Sequence, residues 1–75
     1  MDELRPTNIP LLHLTPRERD VLQLAADDLT TPSIAEELSV SRATVRSHFG
    51  NIYLKLDVRS RAGAVAKGLR LGLIS

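Results

Sequence analysis

From residue 14 onward the apolar positions recur at intervals of three and four, and no segment alternates apolar with polar in the two-residue period of a strand. Val21, Leu22, Ala25 and Leu29 form the first such stripe, and the residues ahead of it mark a helix start. Thr15 can cap, Pro16 fits the first helical position, and Glu18 can reach back to close a capping box. Asp27 and Asp28 oppose the dipole at a C-terminal end, so this helix should stop about there. Thr30-Thr31-Pro32 opens a second, short helix by the same device, with Ile34, Ala35 and Leu38 inward and Glu36 and Glu37 outward. Ser39-Val40-Ser41 is then a three-residue turn, and Ser41 caps a third helix running to about Leu56. A fourth helix opens at Ser60 and closes at Gly72, where glycine can take the left-handed conformation and let Leu73 fold back onto the core. The pattern predicts an all-α fold: a four-helix (tetrahelical) helix-turn-helix domain over residues 14–75. Residues 1–13, with Pro6 and Pro10 and no sustained period, read as a flexible N-terminal arm or linker.

The third helix carries the informative asymmetry. With Val45 set inward and about 100° per residue, Phe49, Ile52 and Leu56 fall within about 40° of it and make a core stripe. The opposite side holds Ala43, Ser47, Gly50 and Leu54, with Arg46 on one flank and Thr44 and Asn51 on the other. Small residues in the middle of an outer face and a cation at its rim suit close approach to a groove floor. Arg46 can offer its fork to guanine O6 and N7, while Ser47 and Gly50 permit the approach. The plain alternative is a solvated face. The absence of any acid from Ser41 to Leu56 argues against it, because solvated faces usually mix both signs. His48 falls beside the core stripe and is expected half-buried, bonded to a backbone group or a neighbouring helix.

Charge distribution strengthens the case. The net charge is only +1, but residues 1–40 hold three Arg against eight acids, a balance of −5, and residues 41–75 hold seven cations against Asp57 alone, a balance of +6. Such asymmetry points to a polyanionic partner. Other classes recede. There is no cysteine, and His13 and His48 stand far apart, so no metal site is expected. At 75 residues a cavity enclosing a cofactor or small-molecule ligand is not expected, since these need roughly 300 Å³ or more. No apolar run approaches a membrane span and no signal peptide opens the chain, so no membrane partner is expected and the location should be cytoplasmic, at the nucleoid. Glu18 with Asp20, or Glu36 with Glu37, could pass for paired carboxylates, but capping and solvation account for them; no catalytic residues are expected.

Leu14-Thr15-Pro16-Arg17-Glu18-Arg19-Asp20-Val21-Leu22 resembles the opening of the LuxR/FixJ-type helix-turn-helix domain. Ile34-Ala35-Glu36-Glu37-Leu38, Val40-Ser41, Thr44-Val45-Arg46-Ser47-His48 and Asn51-Ile52 are similar to its two central helices in order and spacing. Lys55-Leu56-Asp57-Val58, Arg59 to Ala64-Val65, and Gly72-Leu73-Ile74 are similar to its end. The resemblance covers about residues 14–74. It implies a bacterial transcription regulator, response regulators among them, whose four-helix effector domain binds double-stranded DNA as a dimer, often through the last helix, with RNA polymerase as a further partner. It places Arg46 and Ser47, with Gly50, at positions that face bases, and Thr31, Ser41, Arg42, Thr44, Lys55 and Arg59 at or near positions that hold phosphates. Departures from the family pattern are Gly50 and Leu54, where a base reader and a cation are frequent, and Asp28 and Asp57, which stand for glycines at two helix ends. Asp tolerates the left-handed region better than most residues.

In the fourth helix, over residues 60–71, setting Val65 inward brings Leu69 inward with it. Gly63, Lys67 and Arg70 then face outward, with Ala66 beside them. These four are the expected dimer interface. Small residues allow close approach, but Lys67 and Arg70 oppose it across a two-fold axis, so a weak homodimer strengthened on DNA is expected. Two other readings compete: a segment like region 4 of a sigma factor, and a protein-interaction module that kept the fold but lost DNA affinity, for which Gly50, Leu54 and Asp57 speak.

Overall fold

The structure, a computed structural model, describes residues 13–75. The arm expected over residues 1–13 thus lies outside the described residues, except for His13, which is exposed. Four helices follow in order: α1 (Pro16–Ala26), α2 (Thr31–Leu38), α3 (Arg42–Leu56) and α4 (Arg61–Arg70). Among the described residues there is no strand.

Each helix begins and ends by the same local chemistry. Thr15, Thr30, Ser41 and Ser60 sit in extended conformation at the four N-termini, and each hydroxyl accepts the backbone N–H three residues on. Thr15 and Glu18 form the full capping box, with Glu18 Oε1 accepting the Thr15 N–H at 2.9 Å. At the C-termini the backbone turns left-handed at Asp28, Ser39, Asp57 and Gly72, with φ of 71°, 58°, 56° and 75°. The next residue in each case is apolar: Leu29, Val40, Val58 or Leu73. Its N–H bonds back to the carbonyl five residues earlier, at 2.9–3.0 Å, which is the Schellman closure. All four of these residues are half-buried against the core. Ser39 was the one left-handed position that the sequence pattern did not reveal.

Val21, Leu22, Ile34, Val45, Ile52, Leu56 and Ala64 are sealed at the centre, with Leu14, Phe49 and Ile74 around them. The inward stripe of α3 is as expected: Val45, Phe49, Ile52 and Leu56 are all buried. The expected facing of α4 is not. Ala64 and Gly68 are its buried residues, Val65 is half-buried and Leu69 is 48% exposed. The helix is therefore turned by about one residue's advance, roughly 100°, from the facing expected with Val65 and Leu69 inward. The reason is close packing. A Cβ on Gly68 would lie 2.8 Å from Leu22 Cδ2 and 3.2 Å from Ile74, so the smallest residues, not the largest, take the contact with α1. Gly63 consequently rests against Val58 and Ser60 rather than on the outer face.

Three long side chains tie α3 to its neighbours. The Lys55 ammonium lies 2.7 Å from Glu18 Oε1, joining α3 to the N-terminus of α1. Lys67 donates to the carbonyl of Leu56 at 2.7 Å and closes the end of α3. Arg61 donates to the carbonyl of Leu29, and its guanidinium stands 5.5 Å from the centre of the Phe49 ring.

Candidate nucleic-acid interface

The turn Ser39-Val40-Ser41 sets the geometry of the site. Left-handed Ser39 ends α2, Val40 anchors to the core, and Ser41 starts α3 immediately. Two helices joined so tightly diverge, and the second packs its inward stripe on the core and leaves the opposite face open. Ala43, Arg46, Ser47, Gly50 and Leu54 are all exposed on that face. Arg42 and Asn51 are exposed beside it, and Thr44 and His48 are half-buried at its edges.

The local chemistry favours an anion at the start of α3. Ser41 Oγ accepts the Thr44 N–H at 3.0 Å and donates to Thr44 Oγ1 at 2.9 Å. The positive end of the helix dipole lies at the same place, with Arg42 in its first turn. Thr31 opens α2 half-buried, and Arg59 is exposed just ahead of α4. Among the described residues no carboxylate lies within ion-pair distance of Arg42, Arg46 or Arg59.

Lys55, expected at a phosphate, makes an ion pair within the chain. Its ammonium is engaged by Glu18, whose side chain is 5% exposed, and Lys55 itself is 24% exposed. Burial pushes the Glu18 carboxyl pKa up, but hydrogen bonds from Lys55 and Thr15 and the charge of Lys55 outweigh it, so the pKa lies below the ordinary glutamate value. Glu18 thus does more than the capping assigned to it. Its local cap is readable in Thr-Pro-Arg-Glu, but a partner 37 residues away leaves no periodic mark. Arg61 is a second omission for the same reason. His48 is half-buried as expected, and among the described residues it makes no hydrogen bond.

The expected dimer residues are divided. Ala66 and Arg70 are exposed, whereas Gly63 and Lys67 are half-buried with partners in their own chain. Beside Arg70, α4 presents an apolar strip of exposed Ala62, Ala66 and Leu69 with half-buried Val65. Ala62, Val65, Ala66 and Leu69 line an open groove of about 580 Å³ against Ala25 of α1 and Asp28 of the turn after it, with Arg61 also in its lining. Its volume exceeds the minimum expected of a ligand cavity, but it is a surface trough and not an enclosure. Among the described residues no helix is long and apolar enough to cross a membrane, and no three metal-binding side chains gather.

A family model described as bacterial regulatory proteins, luxR family, matches residues 12–67. The spore germination protein GerE of Bacillus subtilis is 49% identical over 59 residues, which cover 79% of this chain and 80% of that protein. The quorum sensing-dependent transcriptional regulator RpaR of Rhodopseudomonas palustris is 44% identical over 70 residues, 93% of this chain but 29% of that protein. The solved structure of the transcription factor GerE superposes with a TM-score of 0.79 at 44% identity, covering 83% of this chain and 92% of that one. The chain therefore spans most of one relative and under a third of the other.

Proposed function

Because the chain belongs to the luxR family of bacterial regulatory proteins, we propose that it binds double-stranded DNA by placing α3 in the major groove and thereby regulates transcription. The observation that carries this reading is the exposed, acid-free face of α3, with Ser47 in its middle, Arg46 at its rim and the dipole's positive end at its entry. The family is one of DNA-binding regulators and not a class of enzymes. Residues 14–75 act as the DNA-binding unit and residues 1–13 as the arm or linker that joins it to its surroundings at the nucleoid.

Arg46 reads guanine with a bidentate contact, and Ser47 and Gly50 let the helix approach the base edges. Thr31, Ser41, Arg42, Thr44 and Arg59 hold phosphates; Lys55 is held back by Glu18. Titration against a selected site and a scrambled duplex tests the assignment. Arg46→Ala should lose about 1–3 kcal/mol on the selected site only, whereas Arg59→Ala should weaken both and flatten the salt dependence. Equal losses for Arg46→Ala on the two duplexes would refute base reading.

Two copies meet through the exposed apolar strip of α4, Ala62, Val65, Ala66 and Leu69, which replaces the more polar face expected at first. Four small or medium side chains bury far less than a stable dimer needs, so association is weak in solution and is completed on paired half-sites. RNA polymerase is the partner through which bound copies act. The competing reading as a silent interaction module would be favoured if no duplex bound at low salt.

A further inference from the structure

Leu54 is the most exposed of the large apolar side chains among the described residues, at 75%. Scattered exposed leucines need no explanation, but this one stands on the outward face of α3, in line with Ala43, Ser47 and Gly50. Side chains on a helix lean toward its N-terminus and cover the preceding turn. The preceding turn here is Gly50, where even an added Cβ would meet nothing within 4 Å. Gly50 therefore leaves a notch in the outward surface one turn ahead of Leu54, and no side chain fills it. Ala43 and Gly50 add no side-chain donor or acceptor to this line, and Ser47 supplies its one hydroxyl.

Leu54 itself cannot tell bases apart by hydrogen bonding. A base pair presents one apolar group in the major groove, the thymine 5-methyl. Leucine also cannot reach out to a phosphate, as a cation at this place could. We infer that Leu54 reads thymine, its exposed isobutyl group meeting the 5-methyl beside the notch left by Gly50. This rests on the DNA-binding reading above and adds to it a second specificity element, apolar where Arg46 is polar. Leu54 lies about 12 Å along the helix from Arg46, so the thymine should stand about two to four base pairs from the guanine that Arg46 reads.

Deoxyuracil tests this directly, since it pairs as thymine does and lacks only the methyl. A site is selected from random duplexes with the purified chain, and each thymine in it is replaced in turn. Uracil at one position within the stated spacing should weaken wild-type binding about fourfold, the effect of one buried carbon. Leu54→Ala should bind the thymine and uracil duplexes equally, while Arg46→Ala should retain the uracil effect. Indifference of the wild type to every uracil, or an undiminished uracil effect in Leu54→Ala, would overturn the inference and leave DNA binding intact. Failure to bind any duplex at low salt would overturn the DNA-binding reading itself.

Discussion

Truncating Lys55 should cost this protein stability before it measurably weakens DNA binding. Lys55→Met keeps most of the aliphatic stem and removes the ammonium that lies 2.7 Å from Glu18. Exposed ion pairs contribute about 0–1 kcal/mol, while breaking a buried pair from one side costs about 3–5 kcal/mol. The glutamate is 5% exposed and the lysine 24%, and the orphaned carboxylate would keep its bond from the Thr15 N–H. A loss of about 2–3 kcal/mol follows, between those limits and nearer the buried one. In a domain of this size that is a fall of about 10–20 °C in Tm. Glu18→Gln keeps an acceptor for the cap and should cost less, and the double variant should cost clearly less than the two losses added. The native Glu18 pKa is depressed, so its contribution is present above the ordinary glutamate pKa and is lost as pH falls through the native value. The stability gap between wild type and Glu18→Gln should therefore close in acid. Thermal and urea denaturation of the four proteins measures all of this. If Lys55→Met fell within about 0.5 kcal/mol of wild type, or the two losses simply added, the pair would not hold the fold.

Two glycines inside helices should respond to alanine with opposite sign. Gly50→Ala meets open space and should stabilise by about 0.5–1 kcal/mol, whereas Gly68→Ala meets Leu22 and Ile74 and should destabilise by about 1–2 kcal/mol; the same sign in denaturation for both would contradict the packing of α4. Asp57→Gly relieves a left-handed residue and should raise stability by about 0.5–1 kcal/mol, visible as a higher Tm, and removing an anion beside the DNA face should also tighten nonspecific binding. Ala66→Glu places a charge on the exposed strip of α4 and should abolish cooperative filling of two half-sites while sparing affinity for one, as gel shifts on single and paired sites would report. A tight dimer of the wild type without DNA, seen by sedimentation, would refute the weak association.

What the sequence determined by itself is everything decided within about five residues. Thr15, Thr30, Ser41 and Ser60 stop the chain from being anything but helix at their successors, and the stripe Val45, Phe49, Ile52 and Leu56 fixes which side of α3 turns outward. The outward set around Arg46 was legible for that reason, since the inward side leaves it no other place. Tertiary structure decided what depends on how closely two elements approach. The facing of α4 could not be read because Ala64, Val65, Gly68 and Leu69 offer two apolar stripes, and only the fit of Gly68 against Leu22 selects between them. Likewise Lys55 carried the same local signature as a phosphate-binding cation. Its commitment to Glu18 arises because α1 and α3 cross where that buried carboxylate needs a counter-charge, a demand that exists only once the helices are packed.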